Sequence, residues 1–174
     1  RDGNRHAGAP MMRAIATLGP IGHLRPGPGT WGSAAAVLLA WGVHGLGGFA
    51  LFFVATLAVA GLGWWVVGKA IQTSTDKDPA EIVIDELAGQ WIALWPVSLG
   101  ATMAGTGFWA LWPGVVTAFV AFRLFDILKP GPVGWADRQE GAFGIMADDV
   151  IAGWLAAMVV AALAVIAHLP MVTR

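Results

Sequence analysis

The chain alternates between long apolar runs and short polar segments. No Asp, Glu, Lys or Arg occurs over 26–68, 87–122 or 150–173, stretches of 43, 36 and 24 residues. A transmembrane helix needs ~20 mostly apolar residues, because the hydrocarbon core is ~30 Å thick. The first run therefore accommodates two crossings, the second two if it borrows a turn at each end, and the third one. Turn signals divide the longer runs at Gly45-Leu46-Gly47-Gly48 and in the Gly/Ser/Thr-rich stretch 96–107. The pattern predicts helices near 32–45, 49–69, 79–97, 108–128 and 148–168. The first is short, with His44 at its end, and is a candidate for tilting or re-entry. The expected fold class is all-α: a polytopic membrane helix bundle of about five transmembrane helices. Residues 1–25 read as an N-terminal cytoplasmic segment, with 1–10 upstream of a natural start at Met11, and 26–170 as a single transmembrane domain.

Composition agrees. Hydrophobic residues make up 57% of the 174 and charged residues 12%, about half the charged share of an average globular chain. The mean hydropathy is +0.68. A formal charge of −1 leaves no basic surplus to neutralise phosphates, which argues against a nucleic-acid partner. With no cysteine, disulfides, zinc–thiolate sites and thiol nucleophiles are excluded.

The two expected hairpins return the N-terminal stretch, 69–86 and 123–149 to one side of the membrane. Those segments carry Arg1, Arg5, Arg13, Arg25, Lys69, Lys77, Arg123, Lys129 and Arg138, against Arg174 alone on the other side. By the positive-inside rule the charged side faces the cytoplasm. Trp95, Trp109 and Trp112 fall at the expected outer boundary, Trp31 and Trp135 at the inner one.

Ten of the eleven acidic residues lie in two windows: Asp76, Asp78, Glu81, Asp85 and Glu86, then Asp126, Asp137, Glu140, Asp148 and Asp149. Asp78-Pro79 with Glu81 reads as a helix start, an N-cap followed by Pro and a capping-box acid. Asp85 and Glu86 would then lie about two turns inside that helix, with Asp78 and Asp85 on a stripe shared with Gly89. A charge at such depth costs ~2.5–3.5 kcal/mol and marks a functional site. Asp148-Asp149 read as adjacent acids at a helix N-terminus, where the dipole alone favours them, with Ala152 and Gly153 marking a close-packed face. Arg123, Asp126 and Lys129 follow an i, i+3, i+6 spacing for which an ion-pair ladder is the simplest account; Pro130, Gly131 and Pro132 end that helix. So many carboxylates at one boundary repel unless positive charge sits among them, and oxygen-rich sites suit Mg²⁺, Mn²⁺ or Ca²⁺. Arg123, Lys129 and Arg138 can then clamp phosphate oxygens. The segment Arg25-Pro26-Gly27-Pro28-Gly29-Thr30-Trp31-Gly32-Ser33 is either a plain helix cap or an anion site built on a helix N-terminus.

These segments together resemble the phosphatidylglycerophosphatase A family from about Gly19 to Ala157. The likeness is carried by Pro28 to Ser33, Ile82-Val83-Ile84-Asp85-Glu86 with Gly89, Phe122-Arg123 through Asp126 to Lys129-Pro130, Asp137-Arg138, and Gly144-Ile145-Met146 with Asp148-Asp149. Ala142 stands where that family often has glycine. The resemblance implies Mg²⁺-dependent dephosphorylation of phosphatidylglycerophosphate to phosphatidylglycerol at the cytoplasmic face of a bacterial inner membrane. The 26–170 unit is then the catalytic domain. It implies catalytic roles for Asp85, Asp126 and Lys129, metal-binding roles for Glu86, Asp126, Asp137, Asp148 and Asp149, and phosphate contacts from Arg123 and Lys129; Arg138 and Thr30 are further candidate phosphate contacts on the chemistry of the residues alone. A metal-activated water is the expected nucleophile; a transient aspartyl-phosphate on Asp85 or Asp126 is the alternative. Membrane lipids are the other expected partners. From a different class, a cation transporter or channel with an acidic cytoplasmic vestibule also accommodates buried acids, but no Asp or Glu marks the outer half of any expected helix.

Overall fold

The computed structural model describes residues 9–72 and 80–172. Its regular structure is entirely helical. Helix α1 spans Ala9–Ala16, α2 Pro28–Ile71, α3 Ile84–Ala93, α4 Trp95–Ala104, α5 Trp112–Leu128, α6 Pro132–Asp137 and α7 Gly141–Val172. Short 3₁₀ turns at Ile21–His23 and Phe108–Leu111 join some of these. Three of the helical stretches are long and apolar enough to cross a membrane: Pro28–Ile71, Phe108–Leu128 and Gly141–Ala167.

Unbroken, the 44 residues of α2 would extend about 66 Å at 1.5 Å per residue, twice the hydrocarbon thickness. The helix is broken at Gly47-Gly48, where Gly48 adopts φ 61°, a left-handed conformation that glycine enters without a Cβ penalty. Contacts along the two arms run in opposite order. Gly32 lies against Val83, Ala36 O accepts the Trp91 indole N–H at 2.8 Å, and His44 Nδ1 meets Ser98 Oγ at 2.8 Å. Past the break, Phe49 N–H donates to Thr102 Oγ1 at 3.0 Å, Thr56 Oγ1 accepts from Trp95 Nε1 at 3.2 Å, and Gly63 returns to Ile84. The arms are therefore antiparallel, and α3–α4 lies along both. The Phe49–Thr102 bond also satisfies a backbone donor that the break leaves free, as an apolar surround demands.

The expected tip at 45–48 thus falls at Gly47-Gly48. The first arm starts at Pro28 rather than residue 32, behind Gly27 at φ 70°, so it is longer than the spacing suggested. The helix expected over 79–97 is instead two ten-residue helices that meet at Leu94, and the turn expected over 96–107 shrinks to 105–107. Pro96 sits in the first turn of α4, where its missing N–H costs little. Trp95, expected at a membrane boundary, packs against Phe53 and Trp154. Trp31, Trp109, Trp112 and Trp135 are exposed.

Helix α3 is the centre of the bundle: every residue but Glu86 is buried, and it packs on α2, α5 and α7. Its approach to α7 is set by glycines. A Cβ on Gly89 would come within 2.5 Å of the Asp149 carbonyl and the Phe122 ring, and one on Gly153 within 3.0 Å of the Gly89 Cα. Backbone touches backbone there, as small residues allow between helices in lipid. Asp85 precedes Gly89 by four residues and Asp149 precedes Gly153 by four, so one crossing brings both acids to the same level.

At that end α1 packs Met12, Ile15 and Ala16 against Val66, Val67 and Ile82. Ala16 O accepts from Val83 N at 3.0 Å, and Arg13 pairs with Glu81. Glu81 is therefore tied to α1 and is not the third residue of a helix. The expected N-cap Asp78 and Pro79, together with Asp76 and Lys77, lie outside the described residues. Gly153→Ala should lower unfolding stability by about 1–3 kcal/mol, the usual cost of overpacking, read by detergent-titrated unfolding of the purified protein; an unchanged midpoint would contradict the close contact.

Candidate active site

Four elements deliver the site. The first turn of α3 carries Asp85 and Glu86. The last turns of α5 carry Arg123 and Asp126, and Lys129 is its C-cap in the left-handed region, φ 47° and ψ 53°. Asp137 ends α6. Asp148 and Asp149 lie two turns inside α7. The two acidic pairs thus exchange the positions expected for them: Asp85-Glu86 is the pair at a helix N-terminus, and Asp148-Asp149 is the pair embedded in a helix.

They meet around a cavity of about 340 Å³ lined by Asp85, Glu86, Asp126, Lys129, Asp137, Glu140, Asp148 and Asp149, with Gly141, Gly144 and Ile145 among the remaining wall. Asp149 is 3% exposed and Asp148 6%. Lys129 Nζ donates to Asp148 Oδ2 at 2.9 Å and also pairs with Asp137. Partial burial works against the ammonium charge, but these carboxylates outweigh it and hold the Lys129 pKa above the usual lysine value. A left-handed conformation costs a residue with a Cβ about 1–2 kcal/mol; the two ion pairs and a Lys129 N–H to Phe125 O bond of 2.9 Å hold it there.

Arg123 lies behind the cavity wall. Its NH1 is 2.6 Å from Asp126 Oδ2, 4.0 Å from Glu86 Oε1 and 3.5 Å from Ser33 Oγ. Ser33, fully buried, donates in turn to Gly29 O at 2.9 Å. The ladder expected along α5 is thus half present: Arg123 pairs with Asp126, while Lys129 turns away to α6 and α7.

Two residues expected to touch phosphate lie elsewhere. Thr30 and Arg138 are exposed, and neither lines the cavity. From the 25–33 segment it is Gly29 that reaches the site: a Cβ there would collide with Glu86 Oε1 and stand 3.1 Å from both terminal nitrogens of Arg123. In the sequence the signal is a glycine with a serine one turn later, Gly29 and Ser33.

Among the described residues, two groups of three carboxylates are close enough to hold a metal ion: Asp85, Glu86 and Asp149, and Asp126, Asp148 and Asp149, each offering oxygens within 4.8 Å of one another. Glu86 Oε2 and Asp149 Oδ1 are buried and lack a hydrogen-bond partner, an expensive state for a carboxylate oxygen. All-oxygen donors of this charge suit a hard divalent cation such as Mg²⁺.

An apolar helical bundle with a carboxylate-walled cavity at one end defines a membrane-helix protein with a site that could hold a hard cation. The profile of the family described as phosphatidylglycerophosphatase A matches residues 14–164. Phosphatidylglycerophosphatase A of Haemophilus influenzae is 35% identical over 163 residues, covering 87% of this chain and 93% of the relative. Phosphatidylglycerophosphatase A of Escherichia coli K12 is 32% identical over 138 residues, covering 75% and 70%. No solved structure matches. The chain belongs to the phosphatidylglycerophosphatase A family and is thus a phosphatase. Membership replaces the transporter reading.

Gly29→Ala should cut phosphatase turnover about 10²-fold, the scale of a 1 Å misplacement in a site, with little loss of folded protein. Initial rates on purified protein check this, and a native rate would show that Gly29 does not set the position of Glu86.

Proposed function

We propose that the chain hydrolyses the terminal phosphate of phosphatidylglycerophosphate to give phosphatidylglycerol, with Mg²⁺, at the cytoplasmic face of a bacterial inner membrane. The observation that carries this is the convergence of Asp85, Glu86, Asp126, Lys129, Asp137, Asp148 and Asp149 on one cavity at one end of the bundle. A lipid phosphatase needs its charged site at the interface, where a headgroup sits while the acyl chains stay in lipid. The names of two relatives support this substrate.

Five crossings fit the element lengths: the two arms of α2, the α3–α4 pair, α5 with its preceding 3₁₀ turn, and α7. The α3–α4 pair covers 84–104, about 30 Å of helix. The excess of Lys and Arg at the acidic end supports a cytoplasmic site.

Asp85, Glu86, Asp126, Asp148 and Asp149 would hold the metal, which when bound supplies positive charge against the phosphoryl and leaving oxygens. Lys129, kept charged and aimed by Asp137 and Asp148, pairs with a phosphoryl oxygen. Arg123 acts as a positioning residue by fixing Asp126 and Glu86, and its buried place makes it a brace rather than a phosphate clamp. Water is the nucleophile. Asp85, whose Oδ1 already accepts the Glu86 N–H at 3.0 Å, takes the proton as the new P–O bond forms. The glycerol–phosphate bond breaks, and the leaving alkoxide takes a proton from solvent.

Phosphate release from phosphatidylglycerophosphate by purified protein should vanish with EDTA and return with Mg²⁺. Asp149→Asn and Glu86→Gln should abolish turnover in protein that still inserts, whereas Lys129→Ala should mainly raise KM. A native rate in Asp149→Asn would remove the metal-ligand assignment. The absence of native cysteine makes the orientation directly readable. In intact cells a membrane-impermeant maleimide should label Gly107→Cys and spare Gly131→Cys; labelling of the second would invert the topology.

A further inference from the structure

We infer that the cavity is built for two divalent ions side by side, with Asp149 as their common ligand; this rests on the metal-dependent reading above and assigns its stoichiometry. The two carboxylate groups draw on different elements. Asp85 and Glu86 come from α3, Asp126 and Asp148 from α5 and α7, and Asp149 alone belongs to both. In two-ion phosphatases the ions stand about 3.5–4 Å apart, a gap that the two oxygens of one carboxylate can bridge.

The burial of Asp149 points the same way. Its side chain sits in the bundle at 3% exposure with Oδ1 unpartnered, and its carbonyl is pressed against Gly89, so the carboxylate cannot withdraw toward solvent. Glu86 Oε2, in the first group only, is likewise buried and unpartnered. Each group therefore contains an oxygen waiting for a cation.

Charge supports two ions over one. The five carboxylates of the two groups and Asp137, the other partner of Lys129, outnumber Arg123 and Lys129 by four. A single divalent ion leaves this cluster negative before a phosphate monoester, itself close to a dianion, has entered. A second neutralises it and so removes the repulsion of the substrate. Arg123 fits as a spacer. It is bonded to Asp126 at 2.6 Å and stands 4.0 Å from Glu86, one unshared ligand from each group, so one planar guanidinium fixes the separation of the two sites.

The test is Mn²⁺ titration of the purified full-length chain in lipid nanodiscs, stripped beforehand with EDTA and followed by low-temperature electron paramagnetic resonance. Two Mn²⁺ per chain with a spin-coupled spectrum are expected. Glu86→Gln should retain one uncoupled Mn²⁺ in the second group, and Asp149→Asn should lose the coupling. One Mn²⁺ per wild-type chain, or two that are uncoupled, would overturn the inference while leaving a metal-dependent phosphatase standing. No bound Mn²⁺ would overturn both.

Discussion

The structure depends on the repulsion among carboxylates that its backbone forces together. At separations under 5 Å, two like charges repel by a few kcal/mol even at an effective dielectric constant of about 20. A folded bundle accepts that cost only where the helices cannot relax it. The Gly89–Gly153 crossing supplies this rigidity: backbone contact fixes the distance between α3 and α7, and with it the distance between Asp85, Glu86 and Asp149. Lys129 and Arg123 offset part of the repulsion from opposite sides, one from the cavity wall and one from behind it. What they leave is a concentrated negative field open to a cation.

The rest of the fold serves that crossing. The reversal at Gly47-Gly48 lets the two arms of α2 flank α3, and the indoles of buried Trp91 and half-buried Trp95 find acceptors on those arms. Helix α1 closes the acidic end by bonding Val83 and Glu81. The N-terminus of α2 reaches the site through a glycine, where a Cβ would force the tip of Glu86 to shift. Reactive groups therefore come from the termini and inner turns of several helices, while the helix bodies provide the apolar exterior.

Much of this was legible in the sequence because apolar runs, charge gaps and acidic windows are one-dimensional signals of burial. Seven of the ten expected site residues line the cavity and Arg123 stands directly behind it. Helix ends were less legible. Asp78-Pro79 carries the chemistry of a helix start, yet α3 begins at Ile84, because Val83 N–H bonds to Ala16 and Gly22 packs on the Glu81 carbonyl. Tertiary partners hold 81–83 out of a helix that local propensity favours. Gly144 is the opposite case, a glycine inside a helix. Its glycine is needed because the Gln139 carbonyl presses on it, a packing demand that reads as a turn when only neighbours in sequence are visible. So α7 starts at Gly141, and Asp148-Asp149 are drawn inside it. Thr30 and Arg138 bear the right chemistry, but their side chains lie on exposed positions that spacing alone does not reveal.

The central claim is that carboxylates from α3, α5 and α7 meet to share bound divalent cations. Anomalous diffraction from crystals of the protein grown with Mn²⁺ tests this most directly. Strong peaks within coordinating distance of Asp149, flanked by Glu86 on one side and Asp126 on the other, are the expected result. A well-ordered cavity with no peak, or Mn²⁺ bound only at surface carboxylates away from Asp149, would contradict it.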